Sequence, residues 1–263
     1  MSITLPGLVL RETATGESAK YITLLTAEQG KISVYCHGAR SLKSRHLVCT
    51  QQLCYAEFVM DKKGEGYTLR ESSLIESFFS IRENLTATAL AQYVASVASE
   101  VCSEENQEEE MLRFLLNTLH VISKGEKPFA LIKAAFELGC ACLCGFAPDL
   151  AGCVGCSQSN FAESGGYLLL LDGGILCPSC HKKHVAAMPF YTERTLSSKP
   201  ASLPNAVIAA MRYIAASDIR RVYSFSLAEE FHQALGNACE KYLLTHLERF
   251  SFPALDFYKA VEG

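Results

Sequence analysis

Apolar and polar positions alternate with a period of two through the first part of the chain. Leu5 to Arg11, Ala19 to Thr26, Lys31 to His37, Leu53 to Met60 and Tyr67 to Ser73 are runs of this kind, each of strand length. In the third run Ile32, Val34 and Cys36 point to one side, and Ser33, Tyr35 and His37 to the other. Turn residues separate the runs: Gln29-Gly30 joins the second to the third, and Lys63-Gly64-Glu65-Gly66 joins the fourth to the fifth. Five short antiparallel strands within residues 1–80 predict a small closed barrel of the OB type, with an SH3-like barrel as the alternative on pattern alone.

From Asn84 the apolar positions recur at helical spacing. Asn84 can cap a helix that runs to about Cys102. Glu104, Glu105, Glu108, Glu109 and Glu110 precede or open a second helix, where negative charge suits the N-terminus, and Met111, Leu112, Leu115, Leu116 and Leu119 supply its core face. A third helix starts near Pro128, runs through Phe129, Ile132, Phe136 and Leu138 and stops near Gly145. Phe161 to Ile175 reads as a small hairpin and Ser197 to Pro204 as a loop. Helices over about Asn205 to Ala216 and Ser226 to Phe250 complete the pattern. The fold class is therefore α+β. A barrel over 1–80 is followed by a helical domain over 81–263, which carries an inserted module at about 146–188.

Cysteine changes this picture. Cys153-Val154-Gly155-Cys156 and Cys177-Pro178-Ser179-Cys180 are two Cys-x-x-Cys pairs with 20 residues between them. Such pairs can set four thiolates tetrahedrally around one ion, so Cys153, Cys156, Cys177 and Cys180 are the candidate ligands of a single structural Zn²⁺. Four protein ligands close the coordination sphere and leave no position for a reactive water. His181 and His184 are weaker substitutes, and Cys140, Cys142 and Cys144 suit helix packing. The N-terminus shows no export signal and the longest leucine run, Leu168 to Leu171, is far too short to span a bilayer. A cytoplasmic protein with 12 cysteines as thiols or metal ligands is the expectation, with no membrane partner and no small-molecule substrate.

The net charge of −4 provides no global field for nucleic acid. Residues 1–80 hold 9 basic and 8 acidic side chains, against 15 and 20 in the remainder. Lys31, Arg40, Lys43 and Arg45, with His37 and His46, fall in an interval from Gln29 to Ala56 that has no acidic residue. Read from the residues alone, the stretch is either a solvated loop or a surface that neutralises phosphates beside an aromatic, Tyr35. Enzyme chemistry finds no support. There is no nucleotide-binding glycine loop and no Gly-x-Ser-x-Gly element. The His-x-Glu element of zinc deaminases stands upstream of their cysteines, whereas His246-Leu247-Glu248 stands downstream of these. No βαβ pattern surrounds either Cys-x-x-Cys pair, as a thioredoxin-like site would require.

Local motifs add a resemblance. They are Gly7-Leu8-Val9-Leu10; Glu17 with Thr23-Leu24-Leu25-Thr26 and Gly30-Lys31; Gly38-Ala39-Arg40 with Lys43-Ser44; Phe136-Glu137-Leu138 with Gly145 and Pro148; and Tyr242 to Glu248, taken as the closing helix. Their order, with the barrel, helical body and four-cysteine insertion, resembles the bacterial recombination mediator family RecO over nearly the whole chain. The resemblance implies a non-enzymatic protein of DNA repair and homologous recombination. It would bind single- and double-stranded DNA and anneal complementary strands. With RecR it would help load RecA onto DNA coated by single-strand-binding protein, whose C-terminal tail it would also bind. On this reading Lys31, Arg40, Lys43, Arg45, Tyr35 and His37 contact DNA, with Arg11 and Lys20 extending the patch and Arg70 less suited because Glu71 follows it. A tail pocket would need a cation beside apolar side chains, for which Lys133 with Phe129 and Phe136 is the candidate and Arg212 and Lys241 are alternatives. Two other readings stay open: a zinc-stabilised protein–protein adaptor without DNA binding, and an RNA-binding OB protein that would select the 2′-hydroxyl.

Overall fold

The structure, a computed structural model, describes residues 2–64, 66–104, 106–159, 165–187, 200–249 and 251–262, with the side chains of 184–187 also set aside. The chain forms two compact units. One comprises Met1–Glu126 together with Phe252–Gly263, and the other Lys127–Ser251.

In the first unit the period-two runs become β1 (Ser2–Thr15), β2 (Ala19–Thr26), β3 (Gly30–Cys36), β4 (Tyr55–Lys63) and β5 (Gly66–Glu76). They close as a barrel in the order β1-β2-β3-β5-β4, with β4 returning to β1. The closure is an OB-type one: β3 and β5 pair in parallel through Val34–Tyr67 and Tyr35–Thr68, and every other pair is antiparallel. Alternation sorts the side chains. Val9, Ile22, Leu24, Val34, Phe58 and Met60 fill the interior. A bulge between Val9 and Arg11 bends β1 so that it can pair on both sides. The fourth strand begins at Tyr55 rather than Leu53, because Leu53 adopts φ 69° and ends the preceding turns.

Helices α1 (Leu85–Val101) and α2 (Glu109–Lys124) follow. The Asn84 side chain accepts from the Ala87 N–H at 2.9 Å and caps α1 as the sequence predicts. Gly30 joins β2 to β3 at φ +59°, and a Cβ there would lie 2.6 Å from the carbonyl oxygens of Ser103 and Asn106 in the α1–α2 connection. Only glycine meets both demands. A further helix in this unit, which we number α7 (Pro253–Glu262), lies beyond the helices that the sequence pattern predicts. It packs on α1 and buries Leu255 and Tyr258, while Phe252 meets Tyr93 edge-on with ring centroids 6.1 Å apart.

The second unit pairs α3 (Phe129–Leu143) with α6 (His232–His246), and α5 (Asn205–Ala216) also packs on α3. The helix expected from Ser226 starts only at His232, after a 3-10 turn at Glu229–Phe231. Between α3 and α5 lie β6 (Asp149–Cys153), β7 (Gly166–Leu168), β8 (Gly174–Leu176), α4 (Pro178–Ala187) and β9 (Ala201–Leu203). The strands form one sheet in the order β6-β8-β7-β9. β7 and β8 make the expected hairpin, part of whose predicted span, 161–164, lies outside the described residues. The sequence pattern places residues 201–203 in a loop. They form a strand instead, because β7 offers its free edge and pairs Gly166 with Leu203 and Leu168 with Ala201.

Candidate nucleic-acid interface and metal centre

The two Cys-x-x-Cys pairs converge. Cys153 ends β6 and Cys156 lies in the turn after it, where the Ser157 N–H donates to the Cys153 carbonyl at 2.7 Å. Cys177 directly precedes α4, whose first residue is Pro178, and Cys180 lies in its first turn. β6 and β8 are neighbours in the sheet, so their ends bring the pairs together. All four sulfurs lie within 4.8 Å of one another, and Cys156 and Cys177 Sγ are 3.8 Å apart. A tetrahedral centre with metal–sulfur bonds of about 2.3 Å separates its sulfurs by about 3.8 Å, so the four cysteines are positioned to bind a metal ion. Gly155 permits the approach, since a Cβ there would stand 3.1 Å from Cys180 Sγ.

The thiols also respond to one another. The Ser179 hydroxyl and the Cys180 N–H pull Cys177 down to about 6, while Cys180, which donates to Cys177 and Cys156, is pushed up to about 12. A bound cation would displace the protons that these sulfurs carry. His181 is not among them, because its ring stacks on Tyr167 at 3.7 Å. The side chain of His184 lies outside the described residues.

On the barrel, strand parity sorts the candidate cations. Lys20 shares the inward face of β2 with Ile22 and Leu24. It is buried and ion-paired with Glu12 at 2.6 Å. Contact with DNA would require breaking that pair, and the alternation of β2 already puts Lys20 on the interior side. Lys31 points outward, but its ammonium donates to the Ser99 carbonyl at 2.7 Å near the C-terminus of α1, a position that favours a cation.

Arg40 and Arg45 are exposed and fasten the loop that carries them. Arg40 donates to the Gly16 carbonyl at 3.2 Å and Arg45 to the Arg70 carbonyl at 3.1 Å. A guanidinium has five donors, so each keeps N–H groups for another acceptor. Arg70 itself pairs with Asp61. Arg11 and Lys43 are exposed, and among the described residues nothing holds their charged ends. Tyr35 and His37 lie side by side on the outer face, with ring centroids 6.5 Å apart. Tyr21, absent from the sequence-based candidates, sits opposite Tyr35 in the β2–β3 register. Its signal was available in the same alternation that puts Lys20 inside.

The residues expected to form a tail pocket lie in the second unit. Lys133 and Phe136 are buried, and the Lys133 ammonium lies 2.8 Å from both Glu137 and Glu240. A carboxylate from outside would have to displace both. Arg212 donates to the carbonyls of Leu150, Ala151 and Ser159, whereas Lys241 is exposed. His246 packs between rings, stacked on Phe146 at 4.9 Å and edge-on to Tyr242 at 4.4 Å.

The family model described as Recombination protein O N terminal matches residues 1–78, and Recombination protein O C terminal matches residues 82–256. The chain belongs to the RecO family. The break between the two matches falls where the barrel gives way to helices. Among curated relatives, the DNA repair protein RecO of Acetivibrio thermocellus is 30% identical over 256 residues, covering 97% of this chain and 96% of its own. That of Bacillus subtilis is 32% identical over 183 residues, 70% of each chain. That of Caldicellulosiruptor saccharolyticus is 27% identical over 256 residues, 97% of each. Among the described residues no helix is long and apolar enough to cross a membrane.

Proposed function

We propose that this protein acts in DNA repair and homologous recombination as a non-enzymatic mediator that binds single- and double-stranded DNA through the outer face of its barrel. Family membership supports the repair role. The observation that carries the DNA contact is the strip of exposed cations beside the half-buried Tyr35 and the exposed His37 at one end of the closed barrel. Arg40 ties its loop to the β1–β2 turn, Arg45 ties the same loop to β5, and Tyr35 and His37 lie at the end of β3 from which that loop departs.

The mechanism is electrostatic. Arg11, Arg40, Lys43 and Arg45 neutralise phosphates and release counterions, which lowers the repulsion between two strands and lets complementary sequences meet. The proposal extends to the family's partners: RecR, RecA loading, and the tail of single-strand-binding protein. Cytoplasmic placement belongs to the same reading. Cys153, Cys156, Cys177 and Cys180 would hold one structural zinc, which would cross-link the ends of β6 and β8 with the start of α4.

The test is fluorescence anisotropy with labelled single-stranded DNA across a salt series, alongside a strand-annealing assay. Arg11→Gln combined with Lys43→Gln removes two cations that anchor nothing. The salt slope should fall by about 1.4 units if both touch phosphates of a single strand. An unchanged slope would remove these residues from the interface, and a wild-type protein that binds no DNA at low salt would leave the adaptor reading.

A further inference from the structure

Tyr21 and Tyr35 are cross-strand partners on the outer face of the barrel, with ring centroids 5.2 Å apart and planes tilted by 56°. Tyr21 keeps 46% of its surface exposed. The register explains why nothing covers it. Across the sheet the row reads Thr13, Tyr21, Tyr35, Thr68, and the row two residues along reads Arg11, Thr23, Ser33. Every neighbour of the two rings in these rows, save Arg11, is a small hydroxyl residue. His37 continues the line of rings beyond Tyr35, and Arg11 stands diagonally from Tyr21 with its charge unoccupied.

We propose that Tyr21 and Tyr35 form a base-stacking platform for single-stranded nucleic acid, with Arg11 holding the adjoining phosphate. The inference rests on the DNA-binding reading and deepens it by naming what the barrel recognises. Cations alone attract any phosphate backbone, whether single or double. Aromatic faces select a strand whose bases are unstacked, since the bases of a duplex already cover one another. The hydroxyl floor leaves room for a base to lie flat. A tilted pair matches successive bases splayed along a curved strand better than bases in a regular stack. Stacking uses the face that every base has, so it is tolerant of sequence.

The experiment compares the full-length, metal-loaded protein on labelled oligothymidylate and on an abasic oligomer of equal length. The two probes carry the same phosphates and differ only in bases. The wild-type protein should bind the abasic strand more weakly by at least the roughly 5- to 150-fold expected for losing one stacked base, with the same salt slope. Tyr21→Leu should weaken oligothymidylate binding by a comparable factor and leave abasic binding unchanged, while Tyr21→Phe retains wild-type affinity. The wild-type comparison needs no variant, so a folding defect in Tyr21→Leu cannot mask the result. Equal affinity for the two probes, with salt-dependent binding intact, would overturn the platform and spare the DNA-binding reading. Absence of binding to either probe would overturn both.

Discussion

Single side chains decide much of this molecule, and Lys133 shows how. Burial alone would pull its pKa down, but Glu137 and Glu240 outweigh that and raise it above 10.5. A raised folded value contributes stability that is fully present below the unfolded pKa and is lost only as pH climbs through the folded one, in strong alkali. Lys133→Met would remove the cation that two carboxylates share, one of them fully buried, and should cost about 3–5 kcal/mol at neutral pH. Thermal melting checks this. A variant that melts with the wild type would show that the trio adds nothing. Lys133 also marks where residue-level reading stopped. Its spacing from Phe129 and Phe136 was legible, but Glu240 is 107 positions away and only the packing of α6 on α3 reveals it. Lys20 failed differently: its inward parity could be read from the sequence, and the basic type drew attention from the position.

At the scale of elements, strands and early helices were legible because each obeys a local rule. β2 spans Ala19–Thr26 and α5 spans Asn205–Ala216, both as the sequence predicted, since alternation, capping and proline placement suffice to bound them. β9 was not legible, because three residues carry no period and the strand exists only where β7 offers an edge. α7 was missed although Phe252-Pro253 opens it in an ordinary way, with proline at the first helical position. Its worth can be measured. Leu255 is fully buried in the first unit, and Leu255→Ala should cost about 2–5 kcal/mol, read as a lower midpoint in denaturant with fluorescence from tyrosine, since the chain has no tryptophan. Wild-type stability in that variant would mean that α7 only rests on α1.

At the scale of the whole molecule, the two candidate sites belong to different compact units. The aromatic strip lies in the first and the four cysteines in the second. Chelation should therefore lower the melting temperature of the second unit while leaving affinity for single-stranded DNA within about twofold. Loss of DNA binding on chelation would show that the cysteine module contributes to the interface. The four cysteines were the plainest feature of the sequence, because a metal centre needs fixed spacing inside each pair. The barrel face proposed to meet DNA was less plain, because it depends on which strands lie side by side and on the bulge that sets their register.

The first unit is assembled from both sides of the second in chain order: Met1–Glu126 and then, after 127–251, the segment that holds α7. On the ribosome these pieces emerge apart in time. At roughly 5 to 20 residues per second, the interval between Glu126 and Glu262 is about 7 to 27 s. Throughout it the barrel can close, but α1 waits with Tyr93 lacking its Phe252 neighbour and with the seats of Leu255 and Tyr258 bare. A nascent chain interrupted in that interval displays an apolar helix face that the finished protein hides. Of the first unit's elements α7 is made last, and until it emerges the bare face of α1 is a surface that chaperones and proteases can engage.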